Sequence, residues 1–164
     1  MDQVLGPLLP YFLTAVLAGI LLRLAWIDCK TFRLPDHYTL SLIVLGLGLS
    51  LLYAQPTFTA RLIGAAAGFL SLGLIGEIHF RRTGVEGLGL GDAKLFAASG
   101  AWLGWQALPM VLLVASVSGL FFAATLRQGP RAAPIAFGPM LALGFLLCWI
   151  APTFFPALWP FPGP

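Results

Sequence analysis

Two aspartates beside long apolar segments are the residues of this chain best suited to chemistry. Asp28 follows an apolar run that ends at Ile27, and Asp92 closes the quartet Gly89-Leu90-Gly91-Asp92. A carboxylate close to hydrocarbon is costly unless it is solvated, paired or protonated. When two carboxyl groups share a site, one acts as an acid while the other stays charged and polarises a water molecule. Such a pair hydrolyses an amide without a covalent intermediate, and we predict that Asp28 and Asp92 form one.

Each aspartate taken alone also has an ordinary explanation. An aspartate at the start of a helix is more often an N-cap, which would account for Asp92. Asp28 would then form a solvated ion pair with a nearby cation, namely Arg23, Lys30 or Arg33. The glycines in segment 84–91 favour the functional interpretation, because glycine tolerates positive φ and lets another backbone, such as an extended peptide substrate, come close.

The composition places these aspartates in a membrane protein. Of the 164 residues, 59% are hydrophobic and only 9% are charged, which leaves too little polar surface to cover a soluble globule. We therefore expect an all-α, polytopic membrane helix bundle that forms a single domain over residues 1–164. Cys29 and Cys148 are too few for a disulfide framework or a cysteine-rich metal site, and no second histidine stands at metal-ligand spacing from His37. No metal and no cofactor are expected.

The apolar runs predict six transmembrane helices when a span of about 20 residues is used as the measure. They cover residues 5–27, 38–54, 60–80, 93–108, 109–126 and 134–158. The fourth is short and rich in glycine and tryptophan, so its predicted ends are the least well defined of the six. The third carries a stripe of small residues expected to pack closely on another helix: Ala60, Gly64 and Gly68. Residues 151–164 are predicted to form a proline-rich external tail, and interfacial belts are expected to include Trp102, Trp105, Trp149 and Trp159.

The lysines and arginines predict the orientation of these spans. Eight of the nine lie at odd-numbered connections, and Arg61 alone lies at an even-numbered one. The positive-inside rule then assigns the odd connections to the cytoplasm and both termini to the other side. The net charge of +3 thus reports topology, and no nucleic-acid partner is needed to explain it. The same count brings four carboxylates to the cytoplasmic face or just within it: Asp28, Asp36, Glu86 and Asp92.

Three segments around these residues resemble a known family. Segment 26–52, WIDCKTFRLPDHYTLSLIVLGLGLSLL, resembles the part of type IV prepilin peptidases in which an aspartate precedes a Leu/Ile-Pro turn, here ending at Pro35, and a threonine-led helix. Segment 86–109, EGLGLGDAKLFAASGAWLGWQALP, is similar to the second signature of that family, with Asp92 in the aspartate position and Lys94 two residues later. Segment 134–144, PIAFGPMLALG, is similar to its closing Phe-Gly-Pro helix. The three matches follow one another in the family's order.

The resemblance implies an aspartic endopeptidase of the Gly-x-Gly-Asp class in the inner (plasma) membrane. It would cleave the basic leader from type IV prepilins or pseudopilins, whose mature part begins with an apolar helix, at the cytoplasmic membrane face. The catalytic pair would be Asp28 and Asp92. Residues that support the motif or the substrate loop would be Gly89, Gly91, Lys94, Pro35, Asp36 and Glu86, of which Asp36 and Glu86 would hold the basic leader. The chain begins with a span and has no Cys-x-x-Cys motif, so the sequence does not tell whether it also has the N-methylation activity credited to many longer members.

Two other classes of function stay open at this point. A small ion-coupled transporter also keeps carboxylates at membrane depth, but it usually needs a polar path across the bilayer, and the outer halves of these spans offer almost none. A non-catalytic assembly factor of a pilus or secretion system would keep the fold, yet it has no reason to keep two costly carboxylates. Loss of proton flux in an Asp28→Asn variant would indicate the transporter. Pilus assembly by the same variant would indicate the assembly factor.

Overall fold

The described part of the chain is entirely helical apart from its connections, as the composition predicts. The computed structural model describes residues 2–84, 87–126 and 136–154, except for the side chains of residues 2–7, 153 and 154. Within these ranges the α-helices are α1 (Asp2–Thr31), α2 (Asp36–Gly48), α3 (Phe58–Thr83), α4 (Leu90–Leu103), α5 (Leu108–Leu126) and α6 (Gly138–Phe154). Two short 3-10 helices, Leu49–Leu51 and Trp105–Ala107, follow α2 and α4.

Local backbone chemistry sets several helix ends. The Thr57 hydroxyl accepts a hydrogen bond from the Ala60 N–H and caps the start of α3, and Gly84, with φ +68°, ends that helix. Gly104 ends α4 with φ +79°, a conformation that cannot continue a right-handed helix. The prediction of one helix over residues 93–108 was therefore wrong at its C-terminal end.

The first helix extends further than hydropathy predicts, whereas α6 begins at Gly138, later than the predicted start at residue 134. α1 continues to Thr31, one turn past the predicted end at residue 27, so Asp28 lies inside the helix rather than after it. α6 runs through Pro152 to Phe154, so residues 151–154 of the expected tail are helical. An apolar run marks only the part of a helix that is shielded from water. The polar last turn of α1 continues the helix beyond its apolar run. Residues 155–164, with the rest of the expected tail, lie outside the described residues.

Within the described residues, three segments are long and apolar enough to cross a membrane: Leu8–Thr31, Phe58–Thr83 and Trp105–Thr125. α2 and α6 are shorter apolar helices. α4, with 14 residues, is the most enclosed helix, because every residue from Asp92 to Leu103 except Lys94 is buried. It packs against α2, α3, α5 and α6, while α1 packs on α6. The short α4 thus forms the centre of the bundle.

Glycines bring α3 and α4 into backbone contact. The backbones of Gly64 and Gly100 touch, and a Cβ added at Gly68 would lie 2.8 Å from the Phe96 carbonyl oxygen. No side chain fits at these positions unless the two helices separate. The predicted packing role of the small-residue stripe on α3 is confirmed. These close backbone contacts fix the axial position of α3 relative to α4.

Two tryptophans expected at the membrane interfaces lie in the core instead. Trp102 and Trp149 are 1% and 3% exposed, and their rings pack edge to face with centroids 5.1 Å apart. Their ring N–H groups find protein acceptors, Leu42 O at 2.8 Å and Thr14 Oγ1 at 2.9 Å, so neither ring needs an aqueous interface. Trp105 is half exposed, as an interfacial residue would be. Trp159 lies outside the described residues.

Arg61 is fully buried at the end of the bundle away from Asp28 and Asp92. Its guanidinium donates hydrogen bonds to backbone carbonyls of three chain segments: Pro56 (3.0 Å), Gly46 (3.3 Å), Ala101 (3.3 Å) and Trp102. The last carbonyls of a helix have no partner within it, and the guanidinium supplies partners for the end of α4. Arg61 therefore joins the C-terminal ends of α2 and α4 to the start of α3, a role that a count of charges does not reveal.

Candidate active site

Asp28 lies in the last turn of α1 and is held by the first residue of α6. Its side chain is 5% exposed, and Oδ2 accepts a hydrogen bond from the Gly138 N–H at 3.0 Å. The carbonyl of Phe137 accepts the N–H groups of Met140 and Leu141, so Phe137 is the N-cap, and the intervening Pro139 has no N–H. The Gly138 N–H is therefore the first donor at this helix end, where the helix dipole also favours an anion.

The simple ion pair considered for Asp28 is not formed. Arg23 and Lys30 lie over the ring of Trp26, with the Arg23 Cζ 5.1 Å and the Lys30 Nζ 3.9 Å from the ring centroid. Among the described residues, the salt bridges are those of Glu77 with Arg81 and of Asp36 with Lys94. Asp28 is thus stabilised by a backbone N–H rather than by a cation.

Asp92 lies in the first turn of α4 and is 9% exposed. The N-cap of this helix is Gly89, whose carbonyl accepts the Asp92 N–H at 3.1 Å, so the alternative interpretation of Asp92 as an N-cap is wrong. α1 and α4, whose aspartates are 64 residues apart in the chain, thus each carry one buried carboxyl group.

Both carboxyl groups line one cavity of about 520 Å³. Three parts of the chain form its walls: the end of α1 with the following loop, one face of α3, and the segment that leads into α4. The lining residues other than the aspartates are Phe32, Arg33, Leu34, Leu72, Gly73, Gly76, Glu77, Phe80, Leu88, Gly89, Leu90 and Gly91. Most of these walls are apolar, so a peptide inside the cavity would meet the carboxyl groups in a site with little water.

Leu34 packs between the two segments that position the aspartates. A Cβ added at Gly91 would lie 2.8 Å from the Leu34 Cβ, and one added at Gly138 would lie 3.3 Å from the Leu34 Cδ1. Gly89 is different, because its added Cβ would meet nothing nearer than 3.8 Å, the Oδ2 of Asp92. Within the Gly-x-Gly-Asp quartet, the packing of Leu34 requires a glycine at position 91 and does not require one at position 89.

The remaining residues predicted for the site lie around its entrance. Lys94 Nζ binds Asp36 Oδ1 at 2.6 Å and ties the start of α4 to the start of α2. Pro35 is the N-cap of α2, and its carbonyl accepts the Tyr38 N–H at 3.2 Å. Asp36 was expected to hold the leader, but here its carboxylate is engaged by Lys94. Glu86 lies outside the described residues. Within the described ranges, no three His, Cys, Asp or Glu side chains are grouped so as to hold a metal ion.

A comparison with known protein families shows which family this chain belongs to. The Type IV leader peptidase family matches residues 15–124, which include both aspartates, Pro35 and Lys94. The chain belongs to the type IV leader peptidase family. The resemblance inferred from three segments is confirmed for the first two, whereas the Phe-Gly-Pro segment of α6 lies beyond the matched residues.

Several curated proteins are similar to this leader peptidase family member. It is 48% identical over 132 residues to a "Prepilin leader peptidase/N-methyltransferase" of Pectobacterium carotovorum subsp. carotovorum, covering 79% of this chain and 47% of that protein. A protein of the same name from Aeromonas hydrophila is 44% identical over 139 residues, 83% of this chain and 47% of its own. The one from Escherichia coli (strain K12) is 43% identical over 137 residues, 79% of this chain and 61% of its own. The chain spans about half the length of the first two relatives. No solved structure matches it.

Sequence reasoning missed two residues that shape the site of this family member, Leu34 and Gly138. A glycine directly before a proline at the start of a helix is a usable signal for Gly138, since proline favours the first turn and leaves few N–H donors there. The Phe-Gly-Pro segment was noticed for its resemblance, but no contact between α6 and Asp28 could be read from it. Leu34 is the leucine of the Leu/Ile-Pro turn that was noticed for its resemblance, but its packing against Gly91 and Gly138 could not be read from the sequence.

Proposed function

We propose that this chain is a membrane-embedded aspartic endopeptidase that cleaves the basic leader from type IV prepilins or pseudopilins. The observation that supports it best is the shared cavity of Asp28 and Asp92, two buried carboxyl groups from distant helices. Membership in the type IV leader peptidase family supports the same substrate class. An inactive assembly factor has no comparable use for two buried carboxyl groups that line one cavity, and a transporter would usually need a polar path across the bilayer in addition.

In the proposed reaction the two carboxyl groups act on one water molecule and one peptide bond. The ionised carboxylate removes a proton from the water, whose oxygen attacks the carbonyl carbon of the scissile bond. The protonated carboxyl group donates its proton to the leaving amine as the carbon–nitrogen bond breaks. The Gly138 N–H holds one oxygen of Asp28 and leaves the other free to face the water. Because the walls are largely apolar, a bound peptide would displace water from the cavity and strengthen these electrostatic interactions.

We further propose that all six helices cross the bilayer of the inner membrane, with the cavity at the cytoplasmic face and both termini on the other side. The ends of α1, α3 and α5 and the starts of α2, α4 and α6 then lie at that face. Arg61 is the exception to the charge count, and its burial supports the proposal, because its guanidinium is bound by backbone carbonyls. It therefore does not act as a loop charge that would oppose this orientation.

The substrate is proposed to lie with its basic leader toward the mouth of the cavity and its apolar helix toward the bilayer. Glu86 is the carboxylate proposed to receive the leader, since Asp36 is engaged by Lys94 at 2.6 Å and Glu77 by Arg81 at 2.6 Å. A free carboxylate beside lipid would attract a basic segment that is already at the membrane surface.

Leader cleavage of a co-expressed prepilin, followed as a mobility shift, tests the proposal. The native chain is compared with Asp28→Asn and Asp92→Asn at equal amounts in the membrane, and both variants are expected to lose cleavage. Asp36→Asn is the matched control, a third aspartate at the same end of the bundle that does not line the cavity. Full cleavage by either cavity variant would remove that residue from the mechanism. Failure of the native chain to cleave any of several prepilins and pseudopilins would overturn the proposed function.

A further inference from the structure

Gly73 differs from the other glycines near the middle of α3 because no packing contact explains it. A Cβ added at Gly64, Gly68 or Gly76 would lie 2.5, 2.8 or 2.9 Å from a backbone carbonyl oxygen of segment 88–100. A Cβ added at Gly73 would meet no atom within 4 Å. Helix packing therefore requires three of these glycines, whereas at Gly73 the missing side chain leaves open space.

That open space belongs to the cavity of the two aspartates. Gly73 lines the cavity together with Glu77 and Phe80, which follow it at i+4 and i+7 and so lie on the same face of α3. This face of the helix therefore lines the open side of the cavity, where Glu77 and Phe80 are exposed.

The register of the α3–α4 pair places this space at the level of Asp92. The two helices are antiparallel, with Gly68 against Phe96 and Gly76 against Leu88. Midway between these contacts, position 72 of α3 stands opposite position 92 of α4. Gly73 is the next residue along, so the gap beside it lies at about the axial level of Asp92, which lines the same cavity.

We propose that the gap beside Gly73 is a subsite for one apolar side chain of the peptide, that of a residue adjoining the scissile bond. The inference rests on the proposed function. The wall around the gap is apolar, with Leu72 and Phe80 on α3 and Leu88 before α4, while the charge of Glu77 is engaged by Arg81. Such a wall favours a hydrocarbon side chain and disfavours a charged one. The size of residue 73 then sets how large that substrate side chain can be.

A size-complementation experiment tests the subsite. Four prepilin substrates carry either phenylalanine or alanine at each of the two positions that flank the cleaved bond. Initial cleavage rates in detergent are measured for the native chain, Gly73→Ala and Gly73→Leu. The matched control is Gly19→Leu in α1, because a Cβ at Gly19 also meets nothing within 4 Å and Gly19 does not line the cavity.

At one flanking position, Gly73→Leu is expected to lower kcat/KM for the phenylalanine substrate about 100-fold and for the alanine substrate less than about 5-fold. Gly73→Ala should fall between the native chain and Gly73→Leu, and Gly19→Leu should match the native chain on all four substrates. Cleavage of the alanine substrate shows that the variant is folded.

Two results would overturn the subsite while the proposed function stands: native rates of Gly73→Leu on every substrate, or an equal loss on phenylalanine and alanine substrates at both positions. A native chain that cleaves none of the substrates would instead overturn the proposed function and the subsite with it.

Discussion

The orientation of Asp28 depends on the absence of a side chain at Gly138, and a single methyl group tests this dependence. A Cβ added at Gly138 would lie 2.6 Å from Asp28 Oδ2 and 3.0 Å from its Cγ. Ordinary contact of a Cβ begins at 3.4 Å, so in Gly138→Ala the carboxyl group and the start of α6 must separate by about 0.8 Å. The same movement lengthens the hydrogen bond from the Gly138 N–H, now 3.0 Å.

If Asp28 acts as proposed, a displacement of this size is enough to lower the rate of cleavage strongly. A reacting group misplaced by about 1 Å can lower the rate on the order of 100-fold, which is about 2.7 kcal/mol of lost transition-state stabilisation. We expect Gly138→Ala to lower kcat by about that factor on a prepilin substrate. The thermal midpoint of the purified protein should change little, since the strained contact is at the edge of a cavity.

Gly144→Ala is the matched control for this prediction. It lies in the same helix, and its added Cβ would meet the Val111 carbonyl oxygen at 2.5 Å, an even closer approach at a position that faces α5. This variant should lower the thermal midpoint, because overpacking typically costs about 1–3 kcal/mol, but the kcat of the folded molecules should stay within about 3-fold of native. Native kcat in Gly138→Ala, or an equal loss of kcat in both variants, would refute the reasoning.

Three further predictions concern stability. Arg61→Met leaves buried carbonyls without donors and should cost about 3–5 kcal/mol, a fall of roughly 10 °C in the thermal midpoint in detergent, whereas Arg23→Met, at an exposed site, should stay near native. A double-mutant cycle with Lys94→Gln and Asp36→Asn should give a coupling of about 0.2–1 kcal/mol, because the pair is partly exposed; more than about 2 kcal/mol would contradict this. Gly100→Ala should separate α3 from α4 and lower the midpoint by several degrees, and an unchanged midpoint would disprove that close contact.

The sequence predicts the order of the helices and the end of the bundle that holds the aspartates. Each of the six predicted segments overlaps one α-helix, because long apolar runs are interrupted here by glycine, proline and charge. Asp28 and Asp92 reach the same cavity because each stands at an odd-numbered connection. These features are local, and local hydropathy and charge are sufficient to predict them.

Contacts between distant segments are the part that the sequence does not reveal. Every apolar residue of a membrane protein looks alike in hydropathy, whether it faces lipid or protein, so the burial of Trp102 and Trp149 could not be separated from an interfacial position. The role of Arg61 likewise depends on carbonyls at positions 46, 56, 101 and 102 that converge only in the folded chain.

The two aspartates are positioned by different means, and this explains why some of the nearby glycines can be replaced without a clash and others cannot. Asp92 is placed by the first turn of its own helix, whereas Asp28 is held by α6, a helix that begins 110 residues later in the chain. The relative position of the two carboxyl groups therefore depends on how α6 meets the start of α4, and Leu34 fills the space between them. Gly91 and Gly138 both contact Leu34 closely, so a side chain at either would push apart the two segments that hold the aspartates together.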